Sequence, residues 1–194
     1  MPYTKTESRQ RRPGGRSARV VSSVLAATID VLIEHGYHDL SILEIAERSG
    51  VHDTSIYRRW GTKAQLVGEA VSRNAPQSFP PPDTGSFRGD MTALFRRVIS
   101  WLDTPLGNAV SQVVTSPDPD LAAVRRAYWN SQLDGVREIV ARAVARGEAP
   151  ASLDPRLVTE MCSGPMILRR LSGQPVTPRY LKNLLDRVIP VLQK

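Results

Sequence analysis

The sequence predicts an all-α protein in two helical parts. Three observations carry that expectation. Large apolar residues recur at steps of three and four through most of the 194 residues, the spacing that lines one face of a helix. No stretch alternates apolar and polar residues as a half-buried strand does. The main interruption is PQSFPPP, residues 76–82, where four prolines in seven residues exclude a helix. The expected organisation is a disordered basic arm over 1–16, a first helical domain over 17–75, a proline-rich linker over 76–83 and a second helical domain over 84–194.

Composition supports a folded chain, with 41% apolar and 23% charged residues. The net charge is +7 and the pI about 10.1, a balance that favours polyanionic partners. The charge is uneven. Lys5, Arg9, Arg11, Arg12, Arg16 and Arg19 face Glu7 alone, so most of the excess lies in the first nineteen residues. That start is either a solubilising tail or an arm that follows a DNA backbone or enters a minor groove.

It is not expected to be an export signal. Asp30 and Glu34 break the apolar run VVSSVLAATIDVLI, and no run reaches the eighteen or so apolar residues of a membrane span. A single cysteine, Cys162, allows no intrachain disulfide and no cysteine zinc site. A reducing cytoplasm is the expected compartment, and Cys162 is expected to pack as a small hydrophobe.

The elements follow in order. From Ser17 to His35, Val21, Val24, Leu25, Thr28, Ile29 and Leu32 form one stripe, and Gly36 is expected to end the helix as a left-handed cap. Ser41-Ile42-Leu43-Glu44 reads as a capping box, the serine taking one free amide and Glu44 reaching back to another. A short helix with Ile42, Ile45 and Ala46 inward stops at Gly50. A third helix runs from His52 or Asp53 to Trp60, and Gly61 stops it. Thr62-Lys63-Ala64-Gln65 is a second capping box, opening a helix to about Asn74.

Beyond the prolines, Met91, Leu94, Phe95, Val98, Ile99 and Leu102 form a stripe, and a short apolar segment covers Leu106–Val114. A long helix is expected from Pro117–Pro119 to Gly147. Asp154-Pro155 opens another, to about Leu171, and Thr177-Pro178 opens the last, each with proline at the first helical position.

Ser49-Gly50-Val51 joins two short helices as in a helix-turn-helix, with Gly50 supplying the positive φ of the turn. In such a unit the second helix enters the major groove. Here it carries Asp53, Thr54, Ser55, Tyr57, Arg58 and Arg59, while Ile56 and Trp60, four apart, hold it to its own core. Arg58 suits guanine O6 and N7, Asp53 a cytosine amine, and Ser55 several bases. The helix opening at Thr62 points free amides and a positive dipole end outward, with Lys63 beside them, which suits a phosphate.

The run V-H-D-T-S-I-Y-R-R-W-G-T-K-A-Q-L, residues 51–66, resembles the signature of TetR-type transcriptional regulators. The preceding S-I-L-E-I-A-E-R-S-G and the E-H-G-Y end of helix one match as well, so the resemblance covers about residues 18–74. It departs at His52, where the family usually has Ser or a similar cap, and at Trp60, usually Phe. The resemblance implies that Asp53, Thr54, Ser55 and Arg58 face base edges. It implies that Tyr57, Arg59 and Lys63 clamp phosphates, with Ser41 approaching the backbone.

For the second half it implies a helical bundle that dimerises and usually encloses an effector pocket. There D-T-G-S-F-R-G-D, R-G-E and L-D-P-R-L-V-T-E-M resemble one branch of such domains. The proline spacer departs from relatives in which helix four runs straight into the bundle.

One helix-turn-helix reads few base pairs, so a homodimer on a palindromic double-stranded operator is expected, joined through the last two helices, about 155–172 and 178–192. Ser163, Gly164 and Pro165 suggest close approach or a kink there. Candidates for the pocket of a small-molecule effector are Phe95, Trp101, Tyr128, Trp129, Met161 and Met166, since aromatics and methionine suit an apolar ligand; they fill ordinary cores equally well.

No cofactor or metal is implied. His35, His38 and His52 have no acidic partner at zinc spacing, and no nucleophile elbow, P-loop or dinucleotide fingerprint is present, so no enzyme is expected. The expected function is a sequence-specific, ligand-responsive repressor. The effector would shift the helix over 62–74 and thereby the spacing of the two recognition helices. The alternatives are a low-specificity architectural DNA binder, or a helical-bundle enzyme or partner-binding protein with a vestigial DNA domain.

Overall fold

The computed structural model describes residues 15–194, with side chains from Ser17 onward. The basic-arm expectation falls on residues 1–14, which lie outside the described residues, and on Gly15 and Arg16, with which the first helix opens. Nine α-helices make up the described chain: α1 Gly15–Asp39, α2 Ile42–Ser49, α3 Asp53–Trp60, α4 Lys63–Asn74, α5 Phe87–Leu102, α6 Pro105–Thr115, α7 Ala122–Ala145, α8 Pro155–Leu171 and α9 Pro178–Leu192. A single 3-10 turn, Pro119–Leu121, precedes α7, so the long helix begins later than the prolines at 117–119 suggest. No strand occurs among the described residues. The chain divides inside α4 into two compact units, one to Ala70 and one from Val71.

In the first unit, every member of the α1 stripe is buried, including Thr28. The Thr28 hydroxyl donates to the Val24 carbonyl one turn back at 2.8 Å, which satisfies it without a tertiary partner. Gly36 behaves differently from expectation. Its φ of 73° is positive, but its ψ of 178° is extended rather than left-handed helical, and one more helical turn follows to Asp39. That turn buries the Tyr37 ring.

The capping box at α2 is half formed. Ser41 Oγ accepts from the Glu44 amide at 3.4 Å, but the Glu44 carboxylate does not return to the Ser41 amide. It pairs instead with Arg48, one turn on, and Arg48 also makes a two-pronged contact with Glu34 of α1 at 2.7 and 2.6 Å. The ion pair with the guanidinium outcompetes the carboxylate's bond to the backbone amide.

The second unit packs α5, α7, α8 and α9 around Phe87, Met91, Ile139, Val158, Leu181 and Ile189, all nearly inaccessible. Asp90 is buried at the start of α5. It accepts from the Thr84 amide and hydroxyl at 2.6 and 2.8 Å and from Arg146 at 3.1 Å. Glu148 receives Arg146 from the other side and the Phe87 amide. The two short motifs D-T-G-S-F-R-G-D and R-G-E are thus two halves of one network joining α5 to the end of α7. Pro165 and Pro190 lie inside α8 and α9, and both helices continue through them.

Candidate nucleic-acid interface

The geometry starts with Gly50. Its φ of 67° and ψ of 25° are left-handed, and its amide and that of Val51 both return to the last turn of α2, closing the helix in two residues. The chain can then leave at an angle and begin α3 at Asp53. One side of α3 is anchored, with Ile56 and Trp60 buried. Trp60, where relatives usually carry Phe, uses its extra N–H: Nε1 donates to Glu69 Oε2 of α4 at 2.6 Å.

The opposite side of α3 is presented outward. Thr54, Tyr57, Arg58 and Arg59 are exposed, Tyr57 by 51% despite its ring. Asp53 and Ser55 of α3 are half-buried, as are Ser41 at the cap of α2 and Lys63 at the start of α4. Arg58 and the Tyr57 hydroxyl make no hydrogen bond with the described residues, whereas Arg59 lies 5.3 Å from the centre of the Trp60 ring. His52 provides no side-chain cap for α3. Asp53 Oδ1 accepts instead from the next amide, Thr54, at 2.7 Å.

Lys63 is placed in a way the sequence did not suggest. Its ammonium donates to the carbonyls of Tyr37 and His38 at 2.9 and 3.1 Å and lies 4.6 Å from the centre of the Tyr37 ring. Two of its three hydrogens therefore cap the extra turn of α1. The Thr62 cap forms, with its hydroxyl accepting from the Gln65 amide at 3.1 Å.

The second unit holds an apolar cavity among α5, α6, α7 and α8 of about 80 Å³. Phe95, Tyr128, Trp129 and Met166 line it, while Trp101 and Met161 do not. Trp101 stands edge-on to Phe79 at 5.9 Å, and Met161 packs against the bundle core. Sequence reasoning missed Phe79, Gln132, Thr159 and Arg170, which also line the cavity. The Arg170 charge is matched by Asp103 at 2.8 Å and the Leu102 carbonyl at 2.9 Å. Burial pushes the Tyr128 hydroxyl up to about 12, so it stays protonated.

Glu34, His35 and Glu44 converge within 4.8 Å, but Arg48 already occupies both carboxylates. Among the described residues, no helix is long and apolar enough to cross a membrane.

Two family profiles match the chain and divide it much as the fold does. "Bacterial regulatory proteins, tetR family" covers residues 24–70, and "Tetracyclin repressor-like, C-terminal domain" covers 81–188. The HTH-type transcriptional regulator AqdR of Rhodococcus erythropolis is 33% identical over 163 residues, 83% of this chain and 79% of that protein. The chain belongs to the TetR family. It is accordingly a DNA-binding transcriptional regulator, and TetR-family regulators as a class are not enzymes.

The DNA-binding transcriptional repressor TetR of Mycobacteroides abscessus is 29% identical over 175 residues, 88% of this chain and 92% of that protein. The fold of SmeT, repressor of the Stenotrophomonas maltophilia efflux pump SmeDEF, superposes with a TM-score of 0.65 at 17% identity, covering 90% of each chain. The first profile takes in α2 and α3, and the second α5 to α8 and most of α9.

Proposed function

We propose that this TetR-family regulator is a ligand-responsive repressor that binds a palindromic operator as a homodimer in the cytoplasm. The observation that carries the reading is α3, a short helix pinned by Ile56 and Trp60 with Tyr57, Arg58 and Arg59 turned to solvent. Arg58 makes no hydrogen bond with the described residues and Arg59 has only the Trp60 ring, so both guanidinium groups are available to phosphates and base edges.

Asp53, Thr54, Ser55 and Arg58 read bases, and Arg58 is the group suited to a two-pronged contact with guanine. Tyr57, Arg59 and Ser41 contact phosphates. Lys63 adds its remaining hydrogen to that set while it holds α1.

Dimerisation runs through α8 and α9. Leu157, Leu168, Leu171 and Val191 are exposed there, Leu168 by 69%. Leu157, Leu168 and Leu171 fall within one stripe of α8, and an apolar stripe of that kind marks an interaction site. The cavity of the second unit takes the effector. Because α4 carries the chain from one unit into the other, it is the covalent route by which occupancy reaches α3.

Footprinting of the full-length protein upstream of its own gene tests the reading. It expects two protected half-sites with centres about 34 Å apart or a multiple of that, occupied by two chains per duplex. Uniform weak protection, scaling only with salt, is the result that contradicts it.

A further inference from the structure

The proline-rich segment between α4 and α5 is strapped to the bundle through its carbonyls. Its four prolines carry no N–H, so at those positions the strap offers only acceptors. Arg97 of α5 donates to the Pro80 carbonyl at 2.9 Å, and Arg142 of α7 donates to that of Pro82. Gln132 of α7 spans two more, its Nε2 donating to the carbonyls of Pro76 and Gln77 at 3.1 Å each. Gly135, one turn further, lets the strap close on α7: a Cβ there would fall 2.8 Å from the Phe79 carbonyl oxygen. Phe79 itself forms part of the cavity wall.

Gln132 therefore faces two ways. It lines the cavity, and it ties down the strap two and three residues after the end of α4. Tyr128 lies four residues earlier on the same face of α7 and also lines the cavity. Its hydroxyl has no hydrogen-bond partner among the described residues.

The ligand's chemistry follows from the walls. They are aromatic and apolar, and Arg170, the cavity's cation, is already matched by Asp103. A charged ligand would find no free countercharge, whereas a neutral one with a hydrogen-bond acceptor would find Tyr128. The present volume is far below the ~300 Å³ of ordinary ligand sites, so a wall must move. The strap is the wall held by side chains rather than by a helix.

We propose that Gln132 is the coupling residue of this cavity. A neutral, flat, apolar ligand displaces Phe79 and offers one carbonyl oxygen whose two lone pairs accept from the Tyr128 hydroxyl and from Gln132 Nε2, which draws that amide off the Pro76 and Gln77 carbonyls. This frees the strap where it leaves α4. The inference rests on the reading of the cavity as the effector site.

The probe is Nile red, a neutral planar dye with a ring carbonyl, added to the full-length protein. Its binding is located by the part of the tryptophan-to-dye energy transfer that disappears in Trp129→Phe, Trp101 beside Phe79 supplying the remainder. The carbonyl carbon shifts of Pro76 and Gln77, the two acceptors of the Gln132 amide, are read by NMR. Saturating dye should move both toward the values of carbonyls that have lost a hydrogen bond.

Gln132→Leu should show the same shift without dye and little more with it. Gly135→Ala keeps Gln132 and improves helix propensity, but it levers the strap off α7. It should shift the same two carbonyls while the amides of α7 keep their protection from hydrogen exchange. Dye that binds beside Trp129 without moving these carbonyls, or variants whose carbonyls match wild type, overturns the role of Gln132 and leaves the cavity reading standing. No saturable binding beside Trp129 removes the cavity reading for neutral ligands, and this inference with it.

Discussion

Replacing Lys63 by Met should destabilise the first unit by about 2 kcal/mol in the absence of any DNA. The substitution keeps a long unbranched side chain and so preserves most of the stem packing. It removes two hydrogen bonds from a charged donor, at 2.9 and 3.1 Å, and the ammonium 4.6 Å from the Tyr37 ring centre. Hydrogen bonds to charged groups contribute ~1.5–3 kcal/mol each, and an exposed cation–ring contact ~0.5–1 kcal/mol. Lys63 is half-buried, so solvent takes part of each, and ~2 kcal/mol remains.

Urea unfolding of the full-length protein, followed by helical ellipticity, reads this directly. At a slope of about 2 kcal/mol per molar, the midpoint for the first unit should fall by about 1 M. A midpoint unmoved by the substitution refutes the reasoning and leaves the ammonium free for phosphate alone. If its third hydrogen does reach a phosphate, the same variant should lower the slope of log affinity against log salt by about 0.9.

Three further outcomes are expected. Burial alone raises the Asp90 carboxyl, but the Thr84 amide and hydroxyl and Arg146 outweigh it and hold the group below the ordinary carboxylate range. A depressed folded-state pKa gives stability that is present above the unfolded value, about 3.9, and lost as pH falls through the folded one. Acid unfolding of the second unit below about pH 4 should therefore become shallower in Asp90→Asn, and an identical acid limb would clear Asp90 of that role. Burial pushes the Cys162 thiol up to about 12, so iodoacetamide at pH 8 should label it only after urea is added; prompt labelling of the native protein contradicts this. Leu168→Glu should yield monomers in sedimentation and lose the two-half-site footprint, whereas an intact dimer would move the interface elsewhere.

Much of the DNA-binding unit was legible because its signals are local. The α1 stripe, the left-handed Gly50 and the Ile56–Trp60 spacing each act within a turn or two of chain. What sequence reasoning missed depends on partners distant in sequence. Glu44 leaves its expected amide for Arg48 because Glu34, on another helix, brings that guanidinium into place. Gly36 does not close α1 because Lys63, beyond two intervening helices on α4, stabilises one turn more.

In the second unit, four of the six cavity candidates line the cavity, since aromatic and methionine side chains were the signal. Trp101 carried the same signal and packs instead on Phe79. Phe79 itself was hidden among prolines, and the ties of Arg97, Gln132 and Arg142 end on carbonyls, which every residue has and no pattern marks.

The most direct test of the central claim is the base preference of α3. Duplexes recovered by repeated selection with wild-type protein should share a guanine at one position of each half-site. Arg58→Ala should cost about 1–3 kcal/mol on those duplexes and relax preference at that position alone, with binding to scrambled duplex weakened only slightly. An Arg58→Ala protein that selects the same sequences with the same affinity would mean that α3 is not the element reading the bases.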